Sequence, residues 1–190
     1  MRFFVDTSAW IALAALKDQH HAEVAAVWRE LLNRGARPVT TNDVAAETIT
    51  FLRYRASHQA AVSFHDMIER SVAQGRLIMI RTDEDLSAKA WEVFLKYADQ
   101  DLSMTDCLSI ALCRRERIGC ALTLDGHFRM AGIKDAARKG LNQHFQPRQC
   151  TSPHSPIFRF PVRRVLPTGP TSAAGSSFSH CCYPSCRRRL

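Results

Sequence analysis

Short apolar runs alternate with longer amphipathic segments through the first two-thirds of this chain, and that alternation admits few folds. Strands are expected over residues 3–6, 38–40, 77–80 and 120–124. Helical spacing covers 9–16, 20–33, 43–55, 58–74, 84–97 and 107–117, as in Val24, Val27, Trp28, Leu31 and Leu32. Strands separated by helices argue a parallel sheet covered on both faces, joined by right-handed crossovers. Local punctuation agrees. Gly35, Gly75 and Gly119 close helices. Ser8 and Asn42 stand where N-caps are expected, and Thr82 with Asp85 and Ser103 with Asp106 have the spacing of capping boxes.

The 190 residues suffice for one domain with a substantial core, and 46% hydrophobic content supports a globular chain. The formal charge of +8 is misleading as a sum. All 18 acids and all but seven of the 26 basic residues precede Gln146, so the globular part is close to neutral and the basicity belongs to the end of the chain. The high pI is therefore weak evidence that the folded part binds nucleic acid. The seven cysteines read as reduced thiols of a cytoplasmic protein better than as a disulfide framework. No run approaches the roughly 20 apolar residues of a membrane helix. Asp6 and Lys17 interrupt the first apolar stretch, so neither a signal peptide nor membrane association is expected.

Four acids fall where α/β proteins build sites. Asp6 ends the first strand, Asp125 follows the last apolar strand, and Glu47 and Asp106 lie on helices. Ligands of open parallel sheets bind at the carboxyl ends of strands. Carboxylates gathered there without thiols or imidazoles suit magnesium or manganese. Each acid also has an ordinary explanation: Asp6 as a cap, Glu47 as a solvated helix residue, Asp106 as the partner of Ser103, and Asp125-Gly126 as a turn. Their joint placement favours a site.

Four segments carry a resemblance: Asp6-Thr7-Ser8, Ala46-Glu47-Thr48, Leu102-Ser103-Met104-Thr105-Asp106-Cys107, and Leu122-Thr123-Leu124-Asp125-Gly126-His127-Phe128. In order and spacing, over about residues 1–133, they resemble PIN-domain ribonucleases, most closely the VapC-type toxins of toxin–antitoxin pairs. The resemblance implies a three-layer α/β/α sandwich with a central parallel sheet. It implies a magnesium- or manganese-dependent endoribonuclease whose products carry a 5′-phosphate and a 3′-hydroxyl. Asp6, Glu47, Asp106 and Asp125 match the family's catalytic, metal-binding quartet. Thr7 or Ser8, and Thr123, match its hydroxyl positions. A cognate antitoxin and a homodimer are implied as partners, with the apolar stretches 9–16 and 51–54 as docking surfaces or core. His127 and the arginines Arg53, Arg55, Arg114, Arg115 and Arg117 are candidate RNA contacts. Asp99 and Asp101 read as loop residues.

The family often ends with one more short strand. Here residues 134–140 are charged, and the loss of that strand would leave one sheet edge incomplete. The expected domain covers residues 1–140. Residues 141–190 form a Pro-, Ser-, Arg- and Cys-rich tail expected to be disordered. The tail reads as an extension that adds RNA affinity, a zinc site through His180, Cys181, Cys182 and Cys186, or a non-native end. An extension without defined function is preferred. Two other classes compete with the nuclease: a non-catalytic RNA- or protein-binding module on the same fold, and a phosphotransferase with an aspartate nucleophile. The Asp-x-Asp pair of the latter is absent at Asp6-Thr7-Ser8.

Overall fold

The computed structural model describes residues 1–137, and the expected tail over 141–190 lies outside the described residues. Five parallel strands form one sheet in the order β3-β2-β1-β4-β5. The strands are β1 (Arg2–Val5), β2 (Arg37–Thr41), β3 (Ile78–Ile80), β4 (Cys120–Leu122) and β5 (Lys134–Asp135). Between them run α1 (Thr7–Ala14), α2 (His21–Asn33), α3 (Asn42–Arg55), α4 (His58–Ala73), α5 (Glu84–Lys96), α6 (Met104–Arg115) and the short α7 (His127–Met130). The α/β class and the parallel sheet are as expected.

The strand order has a consequence for function. The chain leaves β1 on one side to build β2 and β3, then returns across the sheet to place β4 on the other side of β1. Right-handed crossovers in opposite directions put α1 to α4 on one face and α5 to α7 on the other. The alternation of β1 agrees. Phe3 meets Trp28 of α2 edge-on at 5.7 Å, whereas its neighbour Phe4 meets Phe128 of α7 at 5.8 Å. Phe3, Phe4, Val5 and Val39 are fully buried, as fits strands covered on both faces. β1 and β4 part at the switch point, and a crevice is expected there at their carboxyl ends.

Most helix starts lie one or more residues from the expected positions. Asp6 is the N-cap residue of α1 but makes no side-chain cap bond. Thr41, not Asn42, caps α3 by accepting the Val44 N–H. Asn42 instead accepts the Thr82 N–H at 2.8 Å, tying the start of α3 to the β3–α5 turn. Asp83, not Thr82, caps α5. The Ser103–Asp106 capping box on α6 is present in full.

The final strand is a correction. Lys134–Asp135 does pair with β4, with Lys134 opposite Cys120 and Asp135 opposite Ala121. Its charges hid it. Lys134 is exposed, and the buried Asp135 turns its carboxylate onto the Ala137 N–H at 2.9 Å, so a two-residue edge strand shows no apolar period. The sheet edge is complete.

Ser57, the N-cap of α4, is exposed and accepts the Ala60 N–H at 3.0 Å. Ser57→Ala is expected to cost about 1 kcal/mol. Urea titration should show a lower midpoint at unchanged slope.

Candidate active site

Asp6 stands at the switch point. Its backbone N–H reaches across to the carbonyl of Leu122 at 3.1 Å, so the ends of β1 and β4 are joined where the crevice opens. Its side chain is 2% exposed. Two hydroxyls donate to the same carboxylate oxygen, Oδ2: Ser8 Oγ at 2.8 Å and Thr123 Oγ1 at 2.9 Å. Each hydroxyl also accepts a backbone N–H from the turn after β4, Leu124 onto Ser8 and Asp125 onto Thr123, both at 3.0 Å. Ser8 therefore acts as a clasp between two strand ends and not as the helix cap expected from its position.

Asp106 enters from the first turn of α6. Its Oδ2 accepts both the Ser103 N–H (2.8 Å) and the Ser103 hydroxyl (2.7 Å). Glu47, half-buried on α3, accepts the Thr7 hydroxyl on Oε2 at 2.5 Å. Asp125 is exposed beyond β4, and its carboxylate makes no hydrogen bond among the described residues.

The structure brings three of the acids together electrostatically. The pKa of Asp6 rises from 3.8 to about 6, chiefly because burial disfavours the charged form. The Ser8 and Thr123 hydroxyls oppose that rise, while the charges of Asp106 and Asp125 add to it. Glu47 joins through Thr7, the residue next to Asp6. All four candidate acids thus lie around the end of β1.

The other candidates separate. His127 opens α7, with its Nδ1 enclosed and lacking a hydrogen-bond partner among the described residues. Arg115 pairs with Asp83 at 2.9 Å, and Arg114 donates to the Tyr97 hydroxyl at 3.0 Å. Both tie α6 to α5. Arg53, Arg55 and Arg117 are exposed, as are Asp99 and Asp101. His21 holds the carbonyl of Ala12 through Nδ1, a contact between helices. In α1, Ala9, Trp10, Ala12 and Leu13 are core, whereas Phe51 and Tyr54 of α3 are exposed at 41% and 81%. Sequence reasoning read Ser103 only as a cap, and Ser8 as a cap or, by resemblance, as a hydroxyl beside the first acid. The signal that would have found their second role was a hydroxyl two or three residues before or after each acid.

The donor set is all oxygen, and a buried carboxylate crowded by like charges is what a hard divalent cation would offset, so the residues fit magnesium or manganese in kind. Among the described residues, no three Asp, Glu, His or Cys side chains stand around one point closely enough to hold an ion together. The acids meet at electrostatic range and form no closed cage.

Comparison with known proteins places this geometry in context. The model of the PIN domain family matches residues 3–134. The chain is 32% identical over 130 residues to the 23S rRNA-specific endonuclease VapC20 of Mycobacterium tuberculosis, spanning 68% of this chain and 94% of that one. It is 27% identical over 150 residues to a VapC ribonuclease of Archaeoglobus fulgidus, spanning 78% and 92%. The crystal structure of M. tuberculosis VapC20, described as a sarcin-ricin loop cleaving toxin, superposes with a TM-score of 0.62 at 31% identity, over 69% of this chain and 95% of that one. VapBC2 of Rickettsia felis, bound to a promoter DNA fragment, is similar in fold alone, with a TM-score of 0.53 at 15% identity over 71% and 96%.

Proposed function

The chain belongs to the PIN domain family, and on that premise we propose that it is a divalent-metal-dependent endoribonuclease, the toxin of a toxin–antitoxin pair, acting through Asp6, Glu47, Asp106 and Asp125. The observation that carries this reading is the buried Asp6 carboxylate at the β1/β4 switch point, with Asp106 and Asp125 close enough to raise its pKa. Asp6 and Asp106, each with one carboxylate oxygen that accepts no hydrogen bond among the described residues, are the residues that would hold the ion. The chemistry a hard cation supplies there is Lewis-acid polarisation of a phosphoryl oxygen and acidification of water. Glu47, oriented by Thr7, flanks that position from α3. Asp125, exposed with both oxygens free, orients the attacking water at the mouth of the crevice. Water adds to phosphorus in line and the 3′ oxygen departs with a proton, leaving a 5′-phosphate and a 3′-hydroxyl.

The substrate class this reading assigns is ribosomal RNA, supported by the 32% identity to an rRNA-specific endonuclease. A cognate antitoxin and a second copy of the chain are the proposed partners, with the exposed Phe51 and Tyr54 of α3 available to contact them. The cytoplasm, where ribosomes are, is the proposed site of action. No described helix is long and apolar enough to cross a membrane.

The test is to incubate the purified full chain with ribosomes and with total RNA in the presence of manganese, then map new 5′ ends. A few discrete cuts in ribosomal RNA, with phosphate at each new 5′ end, are expected. Absence of cleavage in every RNA, from protein shown to be folded, would sink the proposal.

A further inference from the structure

α5 carries an apolar face that the described residues leave uncovered. Leu86, Ala90 and Val93 turn into the core. Trp91, Phe94 and Leu95 do not: they are 51%, 41% and 61% exposed, and the rings of Trp91 and Phe94 stack with centroids 5.3 Å apart. Ser87 and Ala88, also exposed, lie about one turn earlier on the same side. Large apolar side chains gathered on one helix and left in water mark a contact surface.

Beside this face runs a line of charge. Asp85, Lys89, Glu92 and Lys96 follow one another at intervals of four, three and four residues, the spacing that keeps side chains on one side of a helix. All four are exposed, and Lys89 reaches Asp85 along that line at 2.7 Å. A cleft of about 410 Å³ opens beside Lys89, Glu92 and Lys96, so α6 does not seal them off. The signs alternate along the helix, and reversing the helix inverts every one. Asp85 and Lys96 lie equally far from the midpoint between Ala90 and Trp91, and so do Lys89 and Glu92. A second α5 laid antiparallel about a two-fold axis at that midpoint sets Asp85 against Lys96 of the second copy, and Lys89 against its Glu92. Trp91, next to the axis, meets its own counterpart, and Phe94 meets Ser87. A parallel pair would set like charges opposite each other.

We propose that α5 is the surface on which two copies of this chain pair, antiparallel about a two-fold axis beside Trp91. A two-fold contact requires a surface complementary to itself, and the order of the four charges supplies one. The inference deepens the pairing of two copies proposed above and rests on that reading. It places the contact on α5 and leaves Phe51 and Tyr54 of α3 for the antitoxin.

Sedimentation equilibrium of the purified full chain, in reductant so that no disulfide links copies, tests the pairing. Wild type is expected to show a monomer–dimer equilibrium that follows protein concentration, because one helix pair buries less than the ~1,600 Å² of a standard interface. Lys89→Glu and Glu92→Lys each reverse one charge, and the two-fold axis turns each reversal into two like-charge contacts. Each should raise the dimer dissociation constant by about tenfold or more. A one-to-one mixture of the two variants, in which every opposed pair again differs in sign, should restore association. Damage to the fold of either variant would not be cured by mixing, and circular dichroism reports that fold directly. Trp91→Ala should weaken the dimer at least as much. A wild type that stays monomeric at every concentration would overturn this pairing and the second copy proposed above, and would leave the face to a different partner. A dimer that neither charge reversal nor Trp91→Ala weakens would overturn α5 as its interface while leaving two copies paired. Variants that remain apart when mixed would overturn the antiparallel order.

Discussion

Asp6→Asn is expected to lower RNA cleavage by more than about 100-fold and, without metal, to raise the stability of the fold above pH 6. The loss of activity follows from removing the charge at the proposed metal site, where even outer partners of ligands are worth ten- to a hundredfold. The gain in stability follows from burial. The carboxyl of Asp6 rises from 3.8 to about 6, first through burial and then through the charges of Asp106 and Asp125, against the lowering by Ser8 and Thr123. Between those two values the folded protein holds a proton that the unfolded chain has released, so stability falls as pH rises across that window. The stabilisation present below 3.8 is lost once pH passes about 6, a change of about 3 kcal/mol. Asparagine carries no charge and keeps a carbonyl oxygen for the two hydroxyls. In excess chelator at pH 7 to 8 the variant should melt several degrees above wild type, and the difference should vanish near pH 4. Manganese should raise the melting temperature of wild type and leave the variant unmoved. A variant less stable than wild type under chelator at pH 8 would contradict the buried, uncompensated charge.

Trp10→Ala is expected to remove about 3–5 kcal/mol of stability. Trp10 is 1% exposed and packs against Trp28 at 5.5 Å and Phe64 at 5.8 Å, so it joins α1, α2 and α4 on one face of the sheet. Its indole N–H donates to Thr40 at 3.2 Å, and Thr40 donates to the carbonyl of Val5 at 3.1 Å, which anchors the end of β1. The backbone N–H of Trp10 also closes the first turn of α1 on the carbonyl of Asp6. The substitution leaves a large cavity directly behind the site. Domains of this size are stable by about 5–15 kcal/mol, so the variant should be partly unfolded at ambient temperature or lose activity through that route. Urea titration followed by tryptophan fluorescence measures the loss. A change below about 1 kcal/mol would show that the aromatic cluster does not hold α1 in place.

These two residues also show what sequence could tell. The apolar run into Asp6 and the periodicity around Trp10 and Trp28 are strong local signals, and the βα alternation they belong to led directly to the parallel sheet. Asp125 was legible as the end of a strand for the same reason. Elements without a period were not legible. β5 has two residues, both charged, and its membership depends on backbone pairing with Cys120 and Ala121. α7 has four residues, too few to show a helical stripe. The acids were legible as a set from their joint placement at strand ends and on helices, and the resemblance to a family sharpened that reading, although each alone also suits a cap, a turn or a solvated helix face. Asp106 shows why the choice between those readings was false. It completes the Ser103 capping box with one oxygen and adds its charge to the Asp6 site. The role of Ser8 was hidden for a different reason: its partners, Thr123 and Leu124, are more than a hundred residues away, and only the crossing from β1 to β4 brings them together.

The central claim is that this set of carboxylates is a metal-dependent RNA-cutting site. The most direct measurement is cleavage of ribosomal RNA by the purified full chain with manganese, beside the same reaction in excess chelator and beside Asp6→Asn with manganese. Cutting is predicted only in the first. Cleavage that survives chelation, or an Asp6→Asn protein that cuts at the wild-type rate, would contradict the account.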